Sequence, residues 1–519
     1  MSRLIVVSNR VAVPDLPRTP LAGGLAVAVR AALKNRNGVW FGWSGKISDE
    51  SAGEAHAIDV NKVTYVLIDL SKSDVQEYYN GFANSVLWPI LHYRVDLQEY
   101  SRADASGYVR VNRMFGNRLS PLVHEDDVIW VHDYHLMLLA RELRSRGHRN
   151  KIGFFLHTPC APPDILETLP QHREILGGLS DYDLVGFQTE NDRNNFADYL
   201  ATLTGAQFRG GAVEIEGRKV RLSAFPVSIE TKAYTRLARS AGRTPMLDLI
   251  RESLGGSRLV LGVDRLDYSK GIPDRIEAFE RLLENYPEWR GKATLLQITP
   301  KCRSDVKSYG DIEAEVTGLV GKVNGRYGDA AWTPIRYVNR SYSRSVLAGI
   351  YRAADVALVT PLRDGMNLVA KEYVAAQDPE DPGVLVLSQF AGAAKELDRA
   401  LIVNPHESDA VAAALKRALE MSLAERRERH APMLAHLLKN DINKWADDYL
   451  SALIGNSPAR RLLAGIRTLF GASPELAPPA DFLNRIQDAL HPMVSPPRGG
   501  RGSNPLTPRT IGAPQQWRS

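Results

Sequence analysis

The chain has 519 residues, enough for about two to four domains, and its 44% hydrophobic content supplies ample core. Only two cysteines occur, Cys160 and Cys302, so the composition excludes a disulfide framework and favours the cytoplasm. No run approaches the roughly 18 apolar residues that span a bilayer, and we expect neither a transmembrane helix nor a signal peptide.

The net charge of +5 at pH 7 comes from one segment rather than from the whole chain. In 456–519, eight arginines stand against three acidic residues, a balance of +5, so the remainder of the chain is neutral. This distribution argues against a nucleic-acid partner, and an RGG-type contact with RNA stays a less favoured alternative for the segment. Because the segment is rich in Pro, Gly and Arg, we predict that it is largely disordered.

The first predicted strand, 4–8, ends at Asn9 and Arg10, and the pair Gly23-Gly24 then precedes a strong helical pattern. Glycines directly before a helix let the backbone approach a phosphate closely. Such a pair is more often an ordinary turn. Its position after the first strand favours a binding site.

Two aromatic-rich stretches follow, a predicted strand at 38–45 and the segment 77–89, which contains Tyr79 and Trp88. Aromatic residues at this density usually belong to a core. Sugar rings also present apolar C–H faces that stack on aromatic side chains. Both interpretations stay open from the sequence.

Polar clusters then end successive apolar strands. The stretch 128–136 stops at His132 and Asp133, and 151–159 ends with His157. Ligands of open α/β sheets bind beyond the carboxyl ends of the strands. One histidine at a strand end is more often structural, whereas several polar clusters at successive strand ends favour a site.

The strand pattern resumes in the second half of the chain after a polar, glycine-bearing stretch around 205–220. A further predicted strand lies before that stretch, in 182–190. After it, predicted strands lie in the stretches 258–272, 293–303, 334–340, 356–360, 383–397 and 400–405. Strands that alternate with helices in both halves predict two doubly wound parallel sheets. We place the domain boundaries at 1–228 for a first Rossmann-like domain, 229–440 for a second Rossmann-like domain, 441–455 for a helix that packs back on the first domain, and 456–519 for the tail.

The loop after the strand in 258–272 carries Arg265 and Lys270 before an apparent helix. An arginine and a lysine in this position can neutralise a departing diphosphate without a metal ion. Surface ion pairs with Asp264 and Asp267 are an equally good interpretation of this segment alone.

The stretch 355–377 combines a strand expected to be buried on both faces, a loop at 361–367 and a helix at 368–377. The helix N-terminus suits an anion, and the carboxylate of Glu372 suits sugar hydroxyls. A diphosphate beside a sugar describes a nucleotide-sugar. The alternative is an ordinary strand–loop–helix unit, with Asp364 as a cap and Glu372 on a solvated face.

Ten segments resemble, in order, the trehalose-6-phosphate synthases. They are SNR, AGGL, WFGWSG, EYYNGFAN with LWP, HDYHL, GFFLHTP, GFQTE, DRLDYSKG, VTPLRDGMNLVAKEYVAAQ and LSQFAGAAKEL, and they cover residues 1–455. The resemblance implies the GT-B fold, an α/β architecture of two Rossmann-like doubly wound parallel-sheet domains that face each other across a cleft. It also implies transfer of glucose from a nucleotide-glucose, usually UDP-glucose, to glucose 6-phosphate with retention. The product would be α,α-1,1-trehalose 6-phosphate, made for osmoprotection or stress.

The resemblance implies a role for each residue that matches the family's motifs. For the acceptor it implies contacts from Arg10, Tyr79, Trp88, Asp133, Thr158 and Arg303. For the donor it implies Gly23, Gly24, Arg265, Lys270, Tyr342, Leu368, Val369, Ala370, Lys371 and Glu372. The catalytic set it implies is Asp133, His157, Arg265, Lys270 and Asp364, with His157 and Asp364 at the transferred glucose.

The resemblance favours a front-face transfer in which the leaving phosphate oxygen takes the proton of the acceptor. We expect no cofactor, no metal ion and no membrane partner, and a separate trehalose-phosphate phosphatase downstream. The oligomeric state stays open, with a homotetramer as one option. Two functional alternatives also stay open: a transferase with another sugar-phosphate-like acceptor, such as glycerol 3-phosphate, and an inactive regulatory subunit.

Overall fold

The computed structural model describes residues 3–14, 24–33, 38–50, 54–242, 244–300 and 307–455. The predictions made for Gly23, Arg303 and the segment 456–519 therefore lie outside the described residues. The chain divides into two units, Met1–Ile454 and Gly455–Ser519, and both sheets belong to the first.

A nine-stranded sheet forms in the N-terminal half. Its strands are β1 Leu4–Arg10, β2 Gly38–Ile47, β3 Ala55–Val60, β4 Val63–Leu70, β5 Val128–His132, β6 Lys151–Phe155, β7 Leu184–Phe187, β8 Ala212–Ile215 and β9 Arg218–Ala224. The spatial order is β3-β4-β2-β1-β5-β6-β7-β9-β8. All neighbours are parallel except the edge strands β3 and β8, which run antiparallel to β4 and β9. The sheet is therefore mixed at both edges, where a purely parallel sheet was expected.

A six-stranded sheet forms in the second half. Its strands are β10 Arg258–Val263, β11 Ala293–Ile298, β12 Ile335–Val338, β13 Val356–Val359, β14 Val384–Ser388 and β15 Leu401–Val403. The order is β12-β11-β10-β13-β14-β15, and every pairing is parallel. The strand order reverses between β10 and β13. The loops that follow these two strands therefore flank the crevice where such sheets bind ligands.

Helices cover the faces of both sheets. The α-helices are α1 Gly24–Leu33, α2 Lys72–Asp74, α3 Trp88–Leu91, α4 Arg102–Leu119, α5 Leu139–Ser145, α6 Pro163–Leu166, α7 His172–Ile175, α8 Glu190–Thr204, α9 Thr231–Ala241, α10 Pro245–Leu254, α11 Ile272–Asn285, α12 Lys307–Tyr327, α13 Arg344–Ala353, α14 Leu368–Ala376, α15 Ser408–Glu420, α16 Leu423–Lys439 and α17 Ile442–Ile454. A π-helical segment spans Val75–Leu87. Among the described helices, none combines the length and the apolar character that a membrane crossing requires.

Two hairpins at the edges of the first sheet are absent from the predicted elements. Asn61 and Lys62 join β3 to β4, and Glu216 and Gly217 join β8 to β9, all with positive φ. A two-residue hairpin turn of this kind requires positive φ at both central residues. Lysine and glutamate rarely adopt that conformation, so the sequence carries a weak signal. The polar, glycine-bearing stretch around 205–220 contains β8 and part of β9.

The last helix, α17, packs on the first sheet. The Tyr449 ring stacks on Trp130 with ring centroids 4.4 Å apart, and its hydroxyl donates to the Phe154 carbonyl at 2.9 Å. The Trp445 indole donates to the Phe225 carbonyl at 3.1 Å. These contacts hold the last helix of the first unit against the N-terminal sheet. The boundaries placed at 228 and 440 stay predictions.

Candidate active site

A cavity of about 560 Å³ lies at the carboxyl ends of the strands, with walls from both sheets. Twelve of the predicted site residues line it: Arg10, Tyr79, Trp88, Asp133, His157, Thr158, Arg265, Lys270, Asp364, Leu368, Val369 and Glu372. Of the other predicted residues that the structure describes in full, Tyr342, Ala370 and Lys371 do not line this cavity, and the prediction for Gly24 stays a prediction. The predicted acceptor and donor residues therefore come together in one place.

An ion pair between Lys270 and Asp364 crosses the gap between the loops after β10 and β13. Lys270 Nζ lies 2.6 Å from Asp364 Oδ2, and the two side chains are 11% and 15% exposed. Burial raises the pKa of Asp364, but the charge and the hydrogen bond of Lys270 outweigh burial and lower it below its ordinary value. Asp364 is therefore ionised at neutral pH, and Lys270 keeps further N–H groups for a ligand.

The loop that carries Lys270 is held by a buried arginine that the sequence analysis missed. Arg275, on α11, is fully buried and donates to Asp264 at 2.5 Å, to Thr360 Oγ1 at 3.1 Å and to the Lys270 carbonyl at 3.3 Å. Asp264 is thus the partner of Arg275. The alternative of a surface ion pair is wrong for Lys270, which is mostly buried and faces Asp364.

Arg265 keeps a half-exposed guanidinium at the cavity. Its charge lies 5.5 Å from the centre of the Trp88 ring, and Nη2 lies 3.7 Å from Asp267. The Trp88 ring also contacts the His92 ring, with centroids 4.0 Å apart. A cation over an indole face is stabilised by the ring quadrupole, so Trp88 helps to place this charge.

Asn367 caps α14 and steadies Asp364. Its backbone has φ of +76°, its Oδ1 accepts from the Ala370 N–H at 3.1 Å, and its Nδ2 donates to Asp364 Oδ2 at 3.1 Å. The cap is therefore Asn367, and the alternative that assigned this role to Asp364 is wrong. Gly365 is required here, because a Cβ at this position would lie 2.3 Å from the His157 carbonyl oxygen.

Glu372 lies one turn into α14 and faces the cavity. Burial raises its pKa to about 7, and the charge of Arg344 opposes that rise. The alternative of a solvated face is therefore wrong for Glu372. The neighbouring Lys371 is fully buried and binds Glu396 at 2.5 Å and the Val227 carbonyl at 2.7 Å. The Lys371 side chain therefore points away from the cavity, and the donor contact expected of Lys371 stays a prediction.

The aromatic residues of the stretch 77–89 divide between the core and the cavity wall. Tyr78 and Phe82 are fully buried in the core. Tyr79 and Trp88 line the cavity, where Tyr79 stacks on His135 with centroids 5.9 Å apart. Arg10, at the end of β1, lies over the Trp43 ring at 5.6 Å and presents its charge to the cavity.

Asp133 and His157 meet at the ends of β5 and β6. Asp133 has φ of +74°, and its Oδ1 accepts from the His157 N–H at 3.3 Å. Positive φ at an aspartate costs energy, and such conformations cluster at functional sites. Burial lowers the pKa of His157 to about 3, so its imidazole is neutral at physiological pH. Thr158, the next residue, is buried in the same wall.

Nine further cavity residues were not among the predicted site residues: Asn9, His92, Tyr134, His135, Gln188, Val227, Asp264, Met366 and Asn367. Gln188 lies just after β7, where its Oε1 accepts from the Val227 N–H at 3.1 Å. Its position at the end of a predicted strand could have identified it as a site residue. His92 follows the short helix α3, and no pattern in the sequence marks it.

The chemistry of this wall suits a nucleotide-sugar and a phosphorylated acceptor. Two cations lie beside the N-terminus of α14, carboxylates lie where hydroxyls can donate to them, and aromatic rings supply stacking surfaces. Among the described residues, no group of three or more His, Cys, Asp or Glu side chains is placed to hold a metal ion. The expectation that transfer needs no metal ion stays a prediction.

Two open sheets with a site between their strand ends define the class of the protein as an α/β glycosyltransferase of the GT-B type. The model of glycosyltransferase family 20 matches residues 4–454. The chain belongs to this family.

Several known proteins are close to this chain in sequence and structure. A trehalose-6-phosphate synthase of Sinorhizobium fredii is 53% identical over 461 residues, which cover 88% of this chain and 99% of that protein. An α,α-trehalose-phosphate synthase (UDP-forming) from Burkholderia xenovorans, solved in complex with glucose-6-phosphate, is 47% identical with a TM-score of 0.84, covering 87% of this chain and all of that one. An E. coli structure with UDP-2-fluoro glucose bound is 50% identical with a TM-score of 0.83. The match covers 87% of this chain and 99% of the E. coli chain. The predicted fold class is confirmed.

Proposed function

We propose that the protein transfers glucose from UDP-glucose to glucose 6-phosphate with retention and releases UDP and α,α-1,1-trehalose 6-phosphate. The observation that carries this proposal is the buried ion pair of Lys270 and Asp364 in a cavity that also holds Arg265 and Glu372. Family membership and the ligands named for the two related structures support the same substrates.

Donor binding follows from the second sheet. Lys270 and Arg265 hold the diphosphate, and the N-terminus of α14 adds its partial positive charge. Glu372, in its ionised form, accepts hydrogen bonds from the ribose hydroxyls. Leu368 and Val369, in the first turn of α14, complete the nucleotide side of the cavity.

Acceptor binding follows from the first sheet. Arg10 presents an exposed guanidinium that suits a phosphate, and Arg303 is the second phosphate partner that the family resemblance implies. Asp133 accepts from sugar hydroxyls, while Tyr79 and Trp88 cover the apolar face of the ring.

The residues on the cavity wall favour transfer without a covalent intermediate. Asp364 Oδ2 already accepts hydrogen bonds from Lys270 and Asn367, which makes it a poor nucleophile. His157, with a pKa of about 3, is too weak a base to remove a hydroxyl proton at neutral pH. The acceptor proton therefore passes to the departing phosphate oxygen while Lys270 and Arg265 stabilise the charge that develops on it.

The proposed reaction also suggests a downstream enzyme, a cellular compartment and an oligomeric state to test. Trehalose 6-phosphate still carries a phosphate, so a separate phosphatase must act downstream if free trehalose is the end product. The use of only two cysteines favours the cytoplasm, and we propose a homo-oligomer, with a tetramer as the first state to test.

A matrix of substrates tests the proposal. The purified protein is incubated with UDP-, GDP- or ADP-glucose against glucose 6-phosphate or glycerol 3-phosphate, with and without EDTA. We expect release of UDP from UDP-glucose only when glucose 6-phosphate is the acceptor. NMR of the product should show an α,α-1,1 linkage. Turnover with glycerol 3-phosphate alone would favour the other acceptor class, and no turnover in any pairing would favour an inactive regulatory subunit.

A further inference from the structure

A second histidine lies behind the cavity wall and contacts His157. His132 ends β5 and is fully buried, with its ring packed against Trp130 at 4.6 Å between centroids. His132 Nδ1 lies 3.0 Å from His157 Nε2, and the two rings stack with centroids 5.3 Å apart. His157 lines the cavity, while His132 belongs to the layer beneath it.

This contact limits the protons of the two rings to two arrangements. Burial lowers the pKa of His132 well below its ordinary value, and burial also lowers that of His157, so both rings are neutral. A neutral imidazole has one N–H donor and one bare acceptor nitrogen. One ring must therefore donate across the 3.0 Å contact, and the proton on the other ring must lie on its opposite nitrogen.

The surroundings of His132 decide between the two arrangements. Its other nitrogen, Nε2, is buried and has no hydrogen-bond partner among the described residues. The same holds for the indole Nε1 of Trp130, which can only donate. If His132 carried its proton on Nε2, two N–H donors would lie unpaired in one dry layer. With a bare acceptor nitrogen at Nε2 of His132, the second buried N–H donor is absent and that part of the cost is avoided.

We infer that His132 is a positioning residue that donates its Nδ1–H to His157 Nε2 and so leaves His157 with an N–H at Nδ1. His157 Nδ1 is then a hydrogen-bond donor for a hydroxyl oxygen of the sugar in the cavity. The inference rests on the proposed function only for the identity of that sugar. The buried His132 thus determines whether His157 Nδ1 is a hydrogen-bond donor or an acceptor toward the cavity.

Histidine NMR on the unmodified protein tests the proton positions directly. Imidazole nitrogens labelled with ¹⁵N distinguish N–H from bare nitrogen, and spectra of His157→Gln and His132→Asn assign the signals. We expect protons on Nδ1 of both rings. A proton on Nε2 of His132 would overturn the inference. This readout does not depend on turnover, so it stays informative even if the proposed transfer were absent.

A matched set of variants tests the consequence for catalysis. His132→Leu removes the donor and should lower kcat about 2- to 10-fold, the value of one neutral hydrogen bond, with UDP affinity unchanged. His132→Asn places an amide N–H at the position of Nδ1 and should restore most of the rate. His56→Leu, at an exposed histidine on β3, should match the unmodified enzyme. Equal losses in the leucine and asparagine variants, or a parallel loss of UDP affinity, would contradict a positioning role, and the NMR result decides the inference if the leucine variant does not fold.

Discussion

Lys270 is the residue whose loss should affect transfer most, because it supplies charge to the leaving UDP. Lys270→Ala should lower kcat/KM about 100-fold or more, as loss of one such donor typically does. The substitution also leaves Asp364 buried without its cation, which adds a cost in stability. Steady-state UDP release measures the change. Lys292→Ala, at an exposed lysine before β11, is the control and should stay within about twofold. A similar small effect in both variants would remove Lys270 from the reaction.

Glu372 should make UDP binding depend on pH. Burial raises its pKa from the ordinary 4.5 to about 7, so near neutrality a large fraction of the free protein holds this carboxyl protonated. Ribose hydroxyls that donate to the carboxylate favour the ionised form, so binding expels the proton and affinity should rise from pH 6 to pH 8, by up to about tenfold. Calorimetric titration measures this. Ionisation of UDP itself is common to both proteins, so Glu372→Gln isolates the carboxyl, and an unchanged pH dependence in that variant would contradict the assignment.

The elements most easily predicted from the sequence are those whose pattern is local. The strand β13 is apolar throughout, and it is buried on both faces as predicted. The hairpins and the π-helical segment Val75–Leu87 were not predicted, because their signals are weak. Positive φ at Lys62 and Glu216 comes from residue types that rarely adopt it. Such conformations depend on the finished sheet rather than on the local sequence.

The site residues also divide into those that the sequence predicts and those that it does not. Charged residues at strand ends could be predicted, since parallel strands bring their carboxyl ends to one edge. The buried contacts of Arg275 could not be predicted, because Thr360 lies 85 residues away and nothing local indicates their approach. The direction of the Lys371 side chain could not be predicted either. The motif match expects this residue at the donor, and only the structure shows that α14 directs its side chain to Glu396.

Two substitutions at the start of α14 separate the contribution of the Asn367 cap from that of its backbone conformation. Asn367→Ala removes the cap and forces alanine into positive φ, so the free energy of unfolding should fall by about 2–3 kcal/mol. Asn367→Gly removes the same hydrogen bonds but tolerates this backbone, and it should lose roughly 1 kcal/mol less than alanine. Denaturant unfolding measures both values. Equal losses would show that the backbone conformation at Asn367 carries no strain.

At the scale of the whole first unit, loops from the two sheets touch at the floor of the cavity. Gly365 lies against the His157 carbonyl, and the Arg363 guanidinium lies 3.7 Å from the centre of the Tyr93 ring. Gly365→Ala would place a methyl group in the space of a backbone oxygen. The loops must then separate, and a displacement near 1 Å should lower kcat about 100-fold.

The matched control for this prediction is Gly318→Ala on α12, where an added Cβ meets open space. That change should leave kcat unaltered and raise the free energy of unfolding by up to about 1 kcal/mol. Turnover and thermal unfolding of both variants make the comparison. An active Gly365→Ala enzyme would show that the contact between the two loops does not position the reacting groups.

The extent of the catalytic unit can be tested by two truncations. The family match ends at residue 454, and 99% of the Sinorhizobium relative aligns within 461 residues of this chain. A chain that ends at Gly455 should therefore keep kcat/KM within about twofold while its net charge falls from +5 to zero.

A chain that ends at Asn440 also loses α17, and with it the stacking of Tyr449 on Trp130 and the hydrogen bond of Trp445. Removing these buried aromatic side chains should cost about 3–5 kcal/mol each, so the shorter chain should unfold or lose activity. Loss of most activity in the chain that ends at Gly455 would show that residues beyond 455 are part of the functional enzyme.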